Sequence, residues 1–132
     1  MLDTIINESL DWQERGLHYG DGLFETLLKV DGKVPYWQLH CQRLVNGCEK
    51  LYIPIPDLNW LENKINEVTN DKDNCVVKII LTRGVGGRGL TLPDADKSSV
   101  FVLSYPYTRP ANDAIRYRCV THDYPLTQTS LA

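Results

Sequence analysis

Two near-continuous apolar runs, Cys75-Val76-Val77-Lys78-Ile79-Ile80-Leu81 and Ser99-Val100-Phe101-Val102-Leu103-Ser104-Tyr105, constrain this chain most. Both are rich in β-branched and aromatic residues, the pattern of central strands covered on both faces. The remaining elements must pack around the sheet they form. Leu23 to Val30 alternates weakly and ends at Asp31-Gly32, the strongest two-residue hairpin signal in the sequence, so Lys33-Val34-Pro35-Tyr36 is expected to return as its partner. From Trp37 the period changes: Trp37, Cys41, Leu44, Val45 and Cys48 share one helical face, and His40, Arg43 and Gly47 form a stripe beside it. A second helix is predicted over Leu58 to Val68, with Leu58, Leu61, Ile65 and Val68 inward and Asp57 as its N-cap. A further strand is expected from Ile115 to Val120. The order strand-strand-helix-helix-strand-strand-strand predicts an α+β domain, two helices on one face of a mostly antiparallel sheet.

Composition narrows the function classes. A length of 132 residues suits one domain, and 42% hydrophobic with 23% charged residues is ordinary for a globular protein. A net charge of -3 gives no general attraction to phosphate backbones or anionic lipid, so neither nucleic acid nor a membrane is an expected partner and any basic site must be local. With no apolar stretch approaching the ~20 residues of a membrane span and no basic segment leading into an apolar one at Met1-Leu2-Asp3-Thr4, the protein reads as cytoplasmic. Cys41, Cys48, Cys75 and Cys119 form no C-x-x-C pair and are expected as reduced, packed thiols, with no metal site.

Gly84-x-Gly86-x-x-Gly89 matches the dinucleotide-binding string, but that fingerprint requires its third glycine to open a helix facing a pyrophosphate. Here Thr91-Leu92-Pro93-Asp94 follows and then another strand, so the string is read as a wide hairpin loop. Arg83 and Arg88 on this loop, with glycine N–H groups converging, are candidates for a mobile site that takes substrate carboxylates. Arg43 is the candidate for a phosphate, because Gly47 one turn on leaves room at the helix and Asp21-Gly22 sits at the mouth of the preceding strand. His18, His40 and His122 have no metal-ligand spacing and are expected as hydrogen-bonded or surface residues; Asp21 and Glu25 are assigned no acid or base role.

The run Arg15-Gly16-Leu17-His18-Tyr19-Gly20-Asp21-Gly22-Leu23-Phe24-Glu25-Thr26, followed by His40-Cys41-Gln42-Arg43-Leu44, resembles the R-G-x-x-x-G-D-G-x-F-E-T strand and H-x-x-R-L helix of the fold-type IV pyridoxal-phosphate enzymes. That family holds branched-chain aminotransferases, D-amino-acid aminotransferases and aminodeoxychorismate lyases. The resemblance runs from about Ile6 to Ala132 and implies that this chain corresponds to the small N-terminal domain, with Arg43 binding the phosphate of pyridoxal 5′-phosphate. Thr82-Arg83-Gly84-Val85-Gly86-Gly87-Arg88-Gly89 resembles the S/T-R-G-x-G-G-R-G segment of the lyase branch, and Tyr105-Pro106 its Y-P pair, which adds Tyr105 to Arg83 and Arg88 as a substrate-binding candidate. Leu90 departs from the tyrosine that often follows G-G-R-G.

The lyase branch converts 4-amino-4-deoxychorismate into 4-aminobenzoate and pyruvate, a step toward folate, and the resemblance implies the same chemistry here. In that branch the Schiff-base lysine follows an L-A-G-x-K-H-type segment, which places it beyond Leu131-Ala132, so no catalytic residue is expected within this chain. The expectations are therefore an N-terminal domain over 1–115, the start of a linker over 116–132, a missing C-terminal domain, a homodimer in the full-length protein, and no activity from this chain alone. The alternatives are an aminotransferase of the same family or a non-catalytic domain that binds a ligand or partner through the Arg83 to Gly89 loop.

Overall fold

In the computed structural model, which describes residues 10–93 and 98–108 and the backbone of Thr4–Ile6, the two apolar runs pair as antiparallel neighbours. The elements are β1 (Thr4–Ile6), α1 (Arg15–Tyr19), β2 (Gly22–Lys29), α2 (Trp37–Leu51), α3 (Leu58–Val68), β3 (Cys75–Thr82) and β4 (Ser99–Pro106). They build one sheet in the order β1-β4-β3-β2, each ladder antiparallel. The predicted α+β class and the central position of the two runs hold. The strand expected over 115–120 lies outside the described residues.

Sheet register decides which side chains form the core. On β3, Cys75, Val77, Ile79 and Leu81 are buried while Val76, Lys78 and Ile80 are only partly so. The buried set meets Leu27 of β2 and Val102 of β4, and α2 and α3 close over it with Leu44, Cys48, Leu61, Ile65 and Val68. Burial of such side chains contributes roughly 1.5–3 kcal/mol each, which makes this face the main source of stability. Lys29, also on this face, donates from Nζ to the Thr69 carbonyl at 2.8 Å and to Thr69 Oγ1 at 3.0 Å, tying the end of α3 to β2. Asp57 caps α3 as predicted, accepting from the N–H groups of Asn59 and Trp60 at 2.8 and 3.0 Å.

Three expectations are corrected. Among the described residues only one face of the central strands is covered: the side opposite α2 and α3 carries an open, mainly apolar cleft of about 650 Å³, with Phe24, Ile80, Phe101 and Leu103 in its lining and Phe24 63% exposed. A near-continuous apolar run does not report what lies against each face of its strand. Second, the Asp31-Gly32 turn forms, with φ of 50° and 72°, but the returning arm pairs only through the Val30–Lys33 bridge. Pro35 and the start of α2 end the arm, and β2 takes β3 as its ladder partner instead. Third, α1 and β1 were not anticipated, because α1 is a single short turn and β1 only three residues long. Cys48 and Cys75 are buried and Cys41 half-buried, all three free, and burial pushes each thiol up.

Candidate functional site

The Gly20-Asp21-Gly22 turn shows why this motif needs its residues. Gly20 ends α1 at φ 63°, a left-handed conformation that suits glycine, and a Cβ on Gly22 would stand 2.4 Å from the Leu81 carbonyl oxygen. Asp21 is thereby held at the start of β2, buried, where Oδ2 accepts from Arg15 Nε at 2.7 Å and from Arg83 Nε at 2.9 Å. Burial raises the Asp21 pKa, but the hydrogen bonds from Arg83 and Arg15, with their charges, overcome this and hold it below the usual carboxylate range. Arg83 spends its other donors on the carbonyls of Tyr52 at 2.8 Å and Leu51 at 2.7 Å, the partly negative C-terminal end of α2. The mobile-loop reading of Arg83 therefore fails: its side chain is 10% exposed, and it ties Asp21, β3 and α2 together.

The glycine loop is likewise fastened. Arg15 lies 4.7 Å from the centre of the Tyr19 ring and donates to the carbonyls of Gly89 and Thr91 at 3.3 Å. Gly84 N–H donates to Thr82 Oγ1 at 3.0 Å, Gly86 N–H to the Gln13 carbonyl at 3.5 Å, and Gly89 N–H to Tyr19 Oη at 2.9 Å. These N–H groups face the protein, so they do not converge on an anion. No helix forms between Gly89 and Pro93, which agrees with rejecting the dinucleotide fingerprint. Arg88 differs from Arg83: it is exposed, its side chain has no ion pair or hydrogen bond among the described residues, and it borders a cleft with Trp12, His18 and Tyr19.

Arg43 stands on α2 above Glu25 of β2. Its Nε donates to Glu25 Oε1 at 2.5 Å and its Nη2 to Oε2, a side-on fork. His40, one turn earlier, donates from Nδ1 to Oε2 at 2.8 Å. Glu25 has a side chain only 3% exposed, whereas that of Arg43 is 68% exposed, so the carboxylate grips the guanidinium from below, and Nη1 has no hydrogen bond among the described residues. Burial raises the Glu25 pKa, but the hydrogen bonds from Arg43 and His40 outweigh it and the carboxyl titrates below its ordinary value; Arg43 is raised in turn by Glu25. A Cβ on Gly47 would meet Leu23 Cδ2 at 3.4 Å, an ordinary contact, so the glycine faces β2 on one side. Arg43 and Gly47 border one surface cleft with Gln42, Asn46 and Lys50.

Tyr105 pairs with Val76, which puts it on the open side of the sheet and away from the Arg43 cluster. The open side carries one feature missed in the sequence: Lys78, whose Nζ lies 5.1 Å from the centre of the Phe24 ring, a basic group in a mainly apolar cleft that Glu14 and Thr82 also line. A lysine interrupting an apolar strand was the available signal. Among the described residues, no group of three or more His, Cys, Asp or Glu is placed to hold a metal, and no helix is long and apolar enough to cross a membrane.

The sequence profile of the family described as Amino-transferase class IV matches residues 22–130. An aminodeoxychorismate lyase of Vibrio harveyi is 32% identical over 91 residues, which covers 69% of this chain and 33% of the relative. The crystal structure of 4-amino-4-deoxychorismate lyase from Pseudomonas aeruginosa superposes with a TM-score of 0.66 at 34% identity, covering 83% of this chain and 41% of that one. A hypothetical aminotransferase from Mycobacterium tuberculosis, solved in a PLP-bound form, superposes with a TM-score of 0.61 at 26% identity over 74% of this chain and 34% of that one. The chain thus spans about a third of the length of the curated relative it matches.

Proposed function

The chain belongs to the amino-transferase class IV family, and from that premise we propose that it is the anion-binding part of a pyridoxal-phosphate lyase that releases 4-aminobenzoate and pyruvate from 4-amino-4-deoxychorismate in the cytoplasm, on the way to folate. The observation that carries the proposal is Arg43, a solvent-exposed guanidinium fixed by a buried carboxylate, with no hydrogen bond from Nη1 among the described residues, on the helix whose H-x-x-R-L pattern matches the family. A planar donor so held suits a phosphate oxygen. When bound, the cofactor supplies an electron sink for the substrate amine.

The chain's own residues bind and orient. In this reading Arg43 holds the cofactor phosphate and Arg88, exposed on the glycine loop, is the cation for a substrate carboxylate, while Tyr105 is a substrate-binding candidate on the far side of the sheet, the side that carries Lys78 and Phe24. Arg83 takes no substrate role, because Asp21 and two carbonyls occupy its donors. The lysine that holds the cofactor is proposed to lie outside these 132 residues, with residues 1–115 as the N-terminal domain, 116–132 leading toward a second one, and a homodimer as the working assembly. The lyase branch is favoured over an aminotransferase by Gly86-Gly87-Arg88-Gly89 and by the likeness to the lyases of Vibrio harveyi and Pseudomonas aeruginosa.

The test is an assay of the full-length protein with pyridoxal 5′-phosphate and 4-amino-4-deoxychorismate, without added keto acid. Release of 4-aminobenzoate is expected from it and none from the 132-residue chain alone. Amino transfer that requires a keto acid, with no 4-aminobenzoate formed, would replace the lyase reading with the aminotransferase one.

A further inference from the structure

We propose that Glu25 is a positioning residue that makes Arg43 an anion receptor, with His40 as the brace that orients the Glu25 carboxylate. The inference rests on the reading of Arg43 as a phosphate-binding group and adds what sets its strength. A carboxylate beside an anion receptor is at first sight a defect, since its charge cancels that of the arginine and repels the incoming anion. The geometry points to a compensating gain. Arg43 projects from the exposed side of α2, with a long side chain that is two-thirds open to solvent. Without an anchor, such a side chain samples many rotamers and must be ordered by the ligand, at the expense of affinity.

Glu25 removes that freedom before any ligand arrives. It engages Nε and Nη2 together, which fixes the plane and the direction of the guanidinium, and Nη1 is left without a hydrogen bond among the described residues. The carboxylate itself cannot turn away: it is buried on β2, and Oε2 also accepts from His40 Nδ1. His40 and Arg43 lie three residues apart on α2, so one helix face supplies both partners of a single carboxylate. Glu25 is therefore set to direct the arginine, and its negative charge is shared between two donors instead of facing the anion.

The two possible effects of Glu25 have opposite signs, which makes the test decisive. The 132-residue chain is titrated with inorganic phosphate by calorimetry, while the Arg43 Nε–H resonance is followed by NMR. Glu25→Gln keeps the shape but cannot accept from both guanidinium nitrogens, so phosphate should bind about tenfold more weakly and the Arg43 Nε–H signal should lose its distinct shift. His40→Gln leaves the fork in place and should weaken binding by only about threefold, a second measure if Glu25→Gln fails to fold. In Arg43→Met, phosphate binding at this place should be lost, and adding Glu25→Gln should change nothing more. Equal or tighter binding by Glu25→Gln would mean that Glu25 only damps the charge, which overturns the inference while Arg43 remains the receptor. Equal binding by Arg43→Met and the unaltered chain overturns the receptor reading itself.

Discussion

Asp21 and Glu25 lie four residues apart at and within β2, both buried, both accepting from arginine, both titrating below the ordinary range, yet they put their arginines to different uses. Around Asp21 two guanidiniums converge on one oxygen and then run on to backbone carbonyls, Arg15 to the glycine loop and Arg83 to the end of α2. Around Glu25 a single arginine is gripped on one edge and its other edge is left outward. The carboxylate is the same in both; the number of nearby carbonyls differs. An arginine whose donors all find protein acceptors is a tie, and one held by a single fork is a receptor.

The comparison breaks most visibly at Asp21. Asp21→Asn leaves two buried guanidiniums facing an amide, and removal of one member of a buried ionic cluster costs about 3–5 kcal/mol. Urea unfolding should report a loss of that size, and a loss under about 1 kcal/mol would show that the cluster is not the tie described. Arg83→Met should follow at about 2–4 kcal/mol, because the Asp21 oxygen keeps Arg15 while the carbonyls of Leu51 and Tyr52 lose their donor. Arg43→Met should cost less than Arg83→Met, since His40 still serves Glu25. Reversal of the Arg83 and Arg43 order in melting experiments would undo the distinction between tie and receptor.

Acid sharpens the same contrast. Both carboxyls have folded pKa values depressed below their unfolded ones, so each contributes stability that is fully present above the unfolded value of about 4 and is lost as pH falls through the folded value. The thermal midpoint should therefore be flat near neutrality and fall on the acid side. In Asp21→Asn that acid fall should be shallower, because one of the two linked groups no longer titrates. An unchanged acid slope in the variant would show that Asp21 does not carry its share.

Much of this arrangement was legible in the sequence, and the failures have physical causes. Period alone revealed α2 and α3, because their apolar stripes bury against one sheet face, and Asp57 announced the start of α3. It also placed His40 and Arg43 on one stripe, the stripe that meets Glu25. What it could not reveal is pairing across the chain: Asp21 meets Arg83 across 62 positions, and no local pattern encodes that contact. The loop glycines looked like an anion nest for the same reason, since the N–H groups of Gly86 and Gly89 are claimed by Gln13, just before α1, and by Tyr19 at the end of that helix, which is too short to be seen in the sequence. The open sheet face escaped notice because a strand's composition does not tell which neighbour covers it.

The smallest expected effect concerns Arg88, the arginine that among the described residues belongs to neither cluster. Arg88 shares the glycine loop with Arg83, five positions on, yet it is exposed and has no ion pair or hydrogen bond from its side chain among the described residues. Its removal takes away no buried partner and leaves no acceptor unsatisfied, so Arg88→Ala should change stability by no more than about 0.5 kcal/mol, the usual range for a surface position. Parallel urea titrations of Arg83→Met and Arg88→Ala then separate the two roles on one loop. If Arg88→Ala destabilised the chain as much as Arg83→Met, Arg88 would be holding the loop together, and its place as an available cation for a carboxylate would be lost. If the loss is small and the loop keeps its amide shifts at Gly84, Gly86 and Gly89, the loop is anchored by Arg15, Tyr19 and Arg83, and Arg88 is left free to meet an anion.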